Sequence, residues 1–357
     1  MAQLTKDSYR VQRVFASPDS LAEFTQFAHR VSADDGTAAF SEQTLVDFSK
    51  ASASDSSQPQ IVAYFSRLIQ PEDTSLIGVA LAVLSDDPEG EEATGVVELA
   101  VDPRFRHCGV GGELAKQLAS HLRQHRPGTY HVWVHQILGD QQENQHLAVA
   151  TLRKRFAAKQ IRELHKLQLP LNDSARDRIA DLASVIELPK GLSLTTFIPA
   201  ADDALWLRAN SAAFAHHPEQ GSLTQDDLAE RMEADWFRAE GFFLAKDSES
   251  KSIAGFHWTK IPAQQRSPYT GEVYVVGVDP RWQGKKLGYS LTVLGLDYLA
   301  RAEYAPGHLL EKIVLYVDAD NTAAVNLYRS LGFVSEAVDL MYAVTLPSQP
   351  TLDSVES

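Results

Sequence analysis

The chain has 357 residues, 44% of them hydrophobic, which is enough for two domains that each bury a core. It carries 47 Asp and Glu against 33 Lys and Arg, and the net charge of −14 argues against a general nucleic-acid or anionic-membrane surface, because phosphate polymers require a basic face. The single cysteine, Cys108, excludes an intrachain disulfide and a cysteine-based zinc site and suits a reducing compartment. The first residues, Met1-Ala2-Gln3-Leu4-Thr5-Lys6-Asp7, lack the apolar stretch of a signal peptide, and no apolar run reaches membrane-spanning length, so a cytoplasmic location is expected.

In chain order, residues 10–15 read as a strand, 21–27 as a helix and the Ser-rich stretch 51–60 as a loop. Runs at 61–65 and 77–84, with breaks such as Asp86-Asp87-Pro88-Glu89-Gly90, predict hairpin strands leading into a third at 96–100. Then comes Val101-Asp102-Pro103-Arg104-Phe105-Arg106-His107-Cys108-Gly109-Val110-Gly111, a Gly-rich turn that opens a helical stripe of Val110, Leu114, Leu118 and Leu122. The same order recurs. Residues 194–197 read as a strand, 205–214 as a helix, 241–245 and 253–258 as strands, 261–271 as a Pro-containing loop and 272–277 as a strand.

That strand runs into Val278-Asp279-Pro280-Arg281-Trp282-Gln283-Gly284-Lys285-Lys286-Leu287-Gly288, 177 positions after the first copy, and a stripe of Leu287, Leu291, Leu294 and Tyr298 follows. The repeat predicts two domains, 1–188 and 189–347, divided near Pro189-Lys190-Gly191, with a frayed tail at 348–357. A strand, a Gly-rich turn and a helix start form an anion site, since the unpaired first-turn amides and the helix dipole point at the ligand. Two histidine pairs stand apart. His216 and His217 are adjacent and cannot share a helix face, and His131 and His135 flank Val132-Trp133-Val134, which reads as a strand, so no metal site is assigned.

Val-Asp-Pro with a Gly-rich turn, followed after about forty residues by Asn321-Thr322-Ala323-Ala324-Val325-Asn326-Leu327-Tyr328-Arg329-Ser330-Leu331-Gly332-Phe333, resembles the GCN5-related N-acetyltransferases. The resemblance implies an α/β (α+β) fold of two tandem acetyltransferase domains, each a mixed, mostly antiparallel sheet flanked by helices, and acetyl-CoA as co-substrate, one per domain. It implies that acetyl-CoA lies against Leu99, Ala100, Val101, Arg106, His107, Cys108, Gly109, Val110 and Gly111 in the first half. In the second half the corresponding residues are Val276, Gly277, Val278, Gln283, Gly284, Lys285, Lys286, Leu287, Gly288 and Tyr289, with Asn321, Ala324 and Asn326.

The segments 215–221, 255–260 and 271–280 look like the mycothiol synthase branch of that family. There the acetyl group passes to the cysteinyl amine of a cysteinyl-glucosaminyl-inositol, and the substrate-contacting positions map onto Glu42, Glu219, Lys260, Glu272 and Tyr316. Another amine acceptor, an aminoglycoside or polyamine, and a non-catalytic acyl-CoA sensor are the competing readings. An acyl transfer to an amine needs a base, an oxyanion donor and an acid. Glu272 is expected as the base, with burial raising its pKa, a backbone N–H near Val276 as the oxyanion donor, and Tyr328 as the acid.

The repeat places Gly95 at the Glu272 position and Leu152 at the Tyr328 position, so the first domain is expected to bind acetyl-CoA without catalysing. Arg106 is expected to add a bond to its pyrophosphate, and Lys286 in place of Gly109 leaves the second backbone path open. A monomer acting on a small molecule completes the expectation.

Overall fold

The computed structural model describes residues 5–36, 38–53, 60–69, 74–85, 93–137, 142–215, 218–263 and 267–348. Most of the Ser-rich stretch, the acidic break at 86–90, His216, His217 and nearly all of the expected frayed tail lie outside those residues. In order the elements are β1 (Tyr9–Val14), α1 (Pro18–Asp35), α2 (Glu42–Ser52), β2 (Gln60–Leu68), β3 (Leu76–Leu84), β4 (Ala93–Val101), α3 (Val110–His125), β5 (Gly128–Ile137), α4 (Gln142–Phe156) and β6 (Lys159–Pro170). After these come α5 (Asp173–Ser184), β7 (Leu192–Thr196), α6 (Asp203–Ala213), α7 (Pro218–Gly221), α8 (Gln225–Glu233), β8 (Phe242–Asp247), β9 (Ile253–Lys260) and β10 (Thr270–Val278). The last are α9 (Leu287–Arg301), β11 (Glu303–Ala305), β12 (His308–Leu309), β13 (Lys312–Asp318), α10 (Thr322–Ser330) and β14 (Val334–Leu346).

The chain forms two compact units, Met1–Leu164 with Ala337–Ser357, and His165–Glu336. The expected division at 188/189 therefore falls inside the second unit. Pro189-Lys190-Gly191 is a loop before β7, whereas α5, which the sequence reading gave to the first domain, buries Ile179 in the second unit's core. Residues 337–346 of β14 pair antiparallel with β5, from Ala337↔Ile137 to Leu346↔Gly128, and this ladder carries the chain's last strand into the first unit.

The first unit's sheet runs β1-β2-β3-β4-β5-β14 and the second's β13-β10-β9-β8-β7. In each, one pair of neighbours is parallel. β4 and β5 pair from Ala93↔Gly128 to Val97↔Val132, and β10 and β13 from Thr270↔Lys312 to Val273↔Leu315, after which both members of each pair run on without pairing. A notch opens there.

The apolar spacing of α1 puts Phe24, Phe27 and Val31 against Phe40, Phe48 and Phe65, with the Phe24 and Phe40 rings 4.9 Å apart, edge to face. Each fully buried aromatic contributes roughly 1.5–3 kcal/mol. Ser17 starts α1 by accepting from the Ser20 amide, and Ser41 starts α2 by accepting from the Thr44 amide. In the second unit Trp206, Trp258, Phe242, Phe197 and Phe256 fill the equivalent space, and Phe242 stacks on Trp258 at 4.3 Å.

Two buried histidines respond to burial in opposite ways. His257 on β9 is fully buried where α9 narrows to Gly295, and burial pushes its pKa down to about 3. His135 on β5 is also pulled down by burial, but its Nδ1 lies 3.1 Å from Asp339 Oδ1 and its Nε2 3.1 Å from Glu98 Oε1, and these bonds lift it to about 10.

Between pH 6.5 and about 3 the unfolded His257 binds a proton that the folded one refuses, so the second unit loses about 1.4 kcal/mol per pH unit as pH falls through that window. The His135 contribution is complete below its unfolded value near pH 6.5 and is lost as pH rises toward 10. His257→Leu should flatten the acid side of a denaturant-unfolding series between about pH 6 and 4 while leaving the alkaline side as it is. An unchanged acid slope would contradict the buried neutral imidazole.

Candidate active site

The repeated Val-Asp-Pro-Arg builds the same bracket twice. Asp102 Oδ1 accepts from the Arg104 amide at 3.0 Å, and the Arg104 guanidinium reaches Oδ1 at 3.0 Å and Oδ2 at 2.7 Å. Asp279 does the same with Arg281 at 2.9, 3.0 and 2.8 Å. The Asp102 amide donates to Ile77 O on β3 and the Asp279 amide to Ala254 O on β9, which ties each turn to its sheet. Burial works against the Asp102 carboxylate, yet the bonds from Arg104 and Arg30 hold its pKa below the ordinary range; for Asp279 the bond from Arg281 is the main cause of the same shift.

The next residues also correspond. Arg106 Nε donates to Val101 O at 2.9 Å, and Gln283 Nε2 to Val278 O at 3.3 Å. His107 and Gly284 have φ of 61° and 74°, and Gly109 and Lys286 have φ of 89° and 61°. Lys286 thus takes the left-handed backbone of Gly109 at a cost of roughly 1–2 kcal/mol, and the backbone path that its bulk left open is the same in both turns. Neither residue caps its helix with a side chain, so the first amides of α3 and α9 lack the side-chain oxygen that a Ser, Thr, Asp or Asn cap supplies. Val110 and Leu287 are 1% exposed and can offer a ligand only their backbone. Cys108 donates its thiol to Arg106 O.

A cavity of about 600 Å³ runs along the first unit's notch. Leu99, Ala100, Val101, Arg106, His107, Gly109 and Gly111 line it, without Cys108 and Val110, together with Asp35, Glu98, Trp133, His135, Leu152 and Arg155. The Arg106 guanidinium makes two bonds to Asp35, at 2.8 and 2.5 Å, besides the one to Val101 O. It braces the turn. Glu98, missed from sequence, accepts from the Ser41 amide at 2.9 Å, the Ser41 hydroxyl at 3.1 Å and His135. An alternating strand pattern carries no trace of that buried carboxylate.

In the second unit Glu272 lies on β10 opposite Lys260 on β9 and Val314 on β13, one residue before the parallel pairing ends at Val273↔Leu315. Lys260 is 5% exposed, with its ammonium 4.9 Å from the Trp236 ring centre and 5.3 Å from that of Tyr274, an aromatic lining that sequence reading did not find. Tyr328 on α10 is buried beside Phe333, and burial pushes its hydroxyl up to about 12.

Asn321 caps α10 by accepting from the Ala324 amide at 3.2 Å, which gives the motif asparagine a structural task, and Asn326 is exposed on the same helix. Tyr316 on β13 is 45% exposed, with the Lys166 ammonium over its ring. Val276, Gly277 and Val278 continue β10 past the notch, and Gln283, Gly284, Lys285 and Lys286 are exposed at the turn. Gly288 and Tyr289 follow in the first turn of α9. Glu219 falls in α7, its side chain outside the described residues, and Glu42 begins α2 in the first unit next to Ser41. Among the described residues no three His, Cys, Asp or Glu side chains converge as a metal site would require.

The first unit has no carboxylate at the corresponding register: Val96, opposite Val83 on β3, stands one residue before the β4–β5 pairing ends at Val97↔Val132, as Glu272 does opposite Lys260. β10 carries an extra residue between Val273 and Val275 that the β3–β4 ladder lacks, so Gly95, aligned with Glu272 by the repeat, lies one residue further back. A β-carbon on Gly95 would stand 2.4 Å from Val83 O in the neighbouring strand. Gly95→Ala should therefore cost roughly 2–4 kcal/mol in denaturant unfolding, because the neighbouring backbone must shift. A variant as stable as the parent would show that the position is open.

Residues 34–151 and 208–333 both match the model of the acetyltransferase (GNAT) family. A mycothiol acetyltransferase of Rothia mucilaginosa is 43% identical over 347 residues, covering 94% of each chain, and one of Paenarthrobacter aurescens is 43% identical, covering 86% of this chain and 87% of the relative. Among solved structures, a tandem GNAT protein from the clavulanic acid biosynthesis pathway superposes with a TM-score of 0.68 at 18% identity over 96% of this chain and 99% of that one. A GCN5-related N-acetyltransferase from Sphaerobacter thermophilus gives 0.60 at 18% identity over 98% and 99%. The chain belongs to the GNAT acetyltransferase family and, within it, to the mycothiol acetyltransferases.

Proposed function

We propose that this chain transfers the acetyl group of acetyl-CoA to the cysteinyl amine of a cysteinyl-glucosaminyl-inositol, with the chemistry in the second unit. The observation that carries the assignment of chemistry is the asymmetry of the notches: Glu272 stands one residue before the pairing ends at one, and Val96, which has no acid–base group, holds that place at the other. The residues fit an acyl-CoA at both turns, because an uncapped helix start and a left-handed backbone leave room for phosphate oxygens against outward amides. The thioester supplies the activated acyl group when bound.

Glu272 takes the proton of the attacking amine, directly or through water, and the backbone beyond the notch at Val276 to Val278 offers the amide for the oxyanion. Tyr328, held neutral by burial, gives its proton to the departing thiolate. Lys260 and Glu219 provide one charge of each sign, which suits a hydroxyl-rich acceptor better than a polycation, and Glu42 and Tyr316 complete the proposed set of substrate contacts. The first unit binds acetyl-CoA without turning it over. We read the protein as a cytoplasmic monomer without a metal; its single cysteine accords with a reducing compartment, and no helix among the described residues is long and apolar enough to cross a membrane.

Incubation with acetyl-CoA and the cysteinyl sugar, with polyamine and aminoglycoside acceptors in parallel, followed by mass spectrometry of the N-acetyl product, tests the assignment directly. Preference for spermidine or an aminoglycoside would reject it. Glu272→Gln should lower kcat by about 100-fold or more with acetyl-CoA affinity nearly unchanged, and parental turnover would remove the base from this residue. Because the Tyr328 hydroxyl titrates at about 12, it stays protonated through the usable range. The kcat profile should therefore show no Tyr328-dependent fall below about pH 10, while Tyr328→Phe lowers kcat by about 100-fold at every pH. A basic limb near pH 8–9 that vanishes in the Phe variant would contradict the buried acid.

A further inference from the structure

We infer that Arg155, near the end of α4, is the guanidinium that grips the pyrophosphate of acetyl-CoA in the first unit, in the place that the turn's own Arg106 does not fill. The inference rests on the reading that this unit binds acetyl-CoA. Arg155 lines the 600 Å³ cavity, and its Nη1 lies 3.9 Å from where a β-carbon on Gly112 would stand, so the planar head lies across the first turn of α3. It forms no ion pair or hydrogen bond among the described residues, whereas each guanidinium nitrogen of Arg106 already donates once, to Asp35 or to Val101 O.

A fork of donors facing uncapped amides suits a diphosphate, which can accept from both. The second unit meets the same need differently. There Lys285 and Lys286 bring ammonium groups on the turn itself, that of Lys285 4.3 Å from the Trp282 ring centre. An ammonium holds phosphate as a point charge without fixing its orientation, while the guanidinium fixes it. The first unit accordingly holds its ligand by geometry and the second by charge, with the second the more sensitive to salt.

Calorimetric titration of the ligand-stripped full chain with CoA and with 3′-dephospho-CoA tests this. Arg155→Gln should weaken one class of site about tenfold or more for both ligands, and Arg155→Lys should recover only part of the loss. Arg106→Gln should instead lower the unfolding midpoint with a smaller change in affinity. No change in Arg155→Gln, or a loss seen with CoA alone, which would move the contact to the 3′-phosphate, overturns the assignment. If Gly109→Glu also leaves every site intact, the reading of the first unit as a cofactor site falls with it; if Gly109→Glu abolishes a site that Arg155→Gln spares, only the role of Arg155 falls.

Discussion

Both turns depend on a buried aspartate that holds the amide and the guanidinium of the arginine two residues further on. Asp102 is 0% exposed and Asp279 7%, so each carboxylate has given up its water and must be repaid by every bond it makes. That closed bracket turns the chain sharply out of the sheet and starts the following helix with a left-handed residue instead of a capping side chain. Amides that Ser, Thr or Asn would satisfy elsewhere, as Ser41 and Asn321 do in α2 and α10, stay open. The arginine closes the bracket, and the helix start is left without a side-chain cap.

One scaffold used twice has diverged at the points where chemistry would need a side chain. The parallel pairs β4/β5 and β10/β13 open notches at corresponding places, yet Val96 holds, opposite Val83, the register that Glu272 holds opposite Lys260. Electrostatics diverge as well. In the first unit Asp35 neutralises Arg106, and a chain of Asp339, His135, the buried Glu98 and Ser41 joins β14, β5, β4 and the start of α2, with Glu98 and His135 lining the cavity. Every partner in that chain is satisfied, which makes it a brace and not a base. In the second unit the buried imidazole, His257, is neutral and packed against α9.

The last strand adds a constraint of its own. β14 brings Asp339 to His135 and Tyr342 and Val344 to the first unit's core, so the chain's end completes a unit whose other residues stop at Leu164. Truncation before residue 337 would strip β5 of its antiparallel neighbour and leave His135 with one carboxylate. The first unit's stability thus depends on residues far from it in sequence.

By itself the sequence determined the repeat, the strand-turn-helix at each copy, the apolar stripes of α3 and α9 and the family, because these follow from local periodicity and from Gly, Pro and Asp at fixed offsets. It also aligned Gly95 with Glu272 by a shared offset, but the extra residue of β10 between Val273 and Val275 moves that correspondence to Val96. The tertiary structure decided what depends on distance. A composition break at Pro189 marked a loop, but hydrogen bonds of β14 to β5 and burial of Ile179 set the units. The ion pair of Arg106 with Asp35, 71 residues away, and the Glu98–His135–Asp339 chain were invisible because pairing between distant segments leaves no mark in any one of them. Lys286 could take a glycine's backbone only because the bracket around Asp279 holds the turn in that shape.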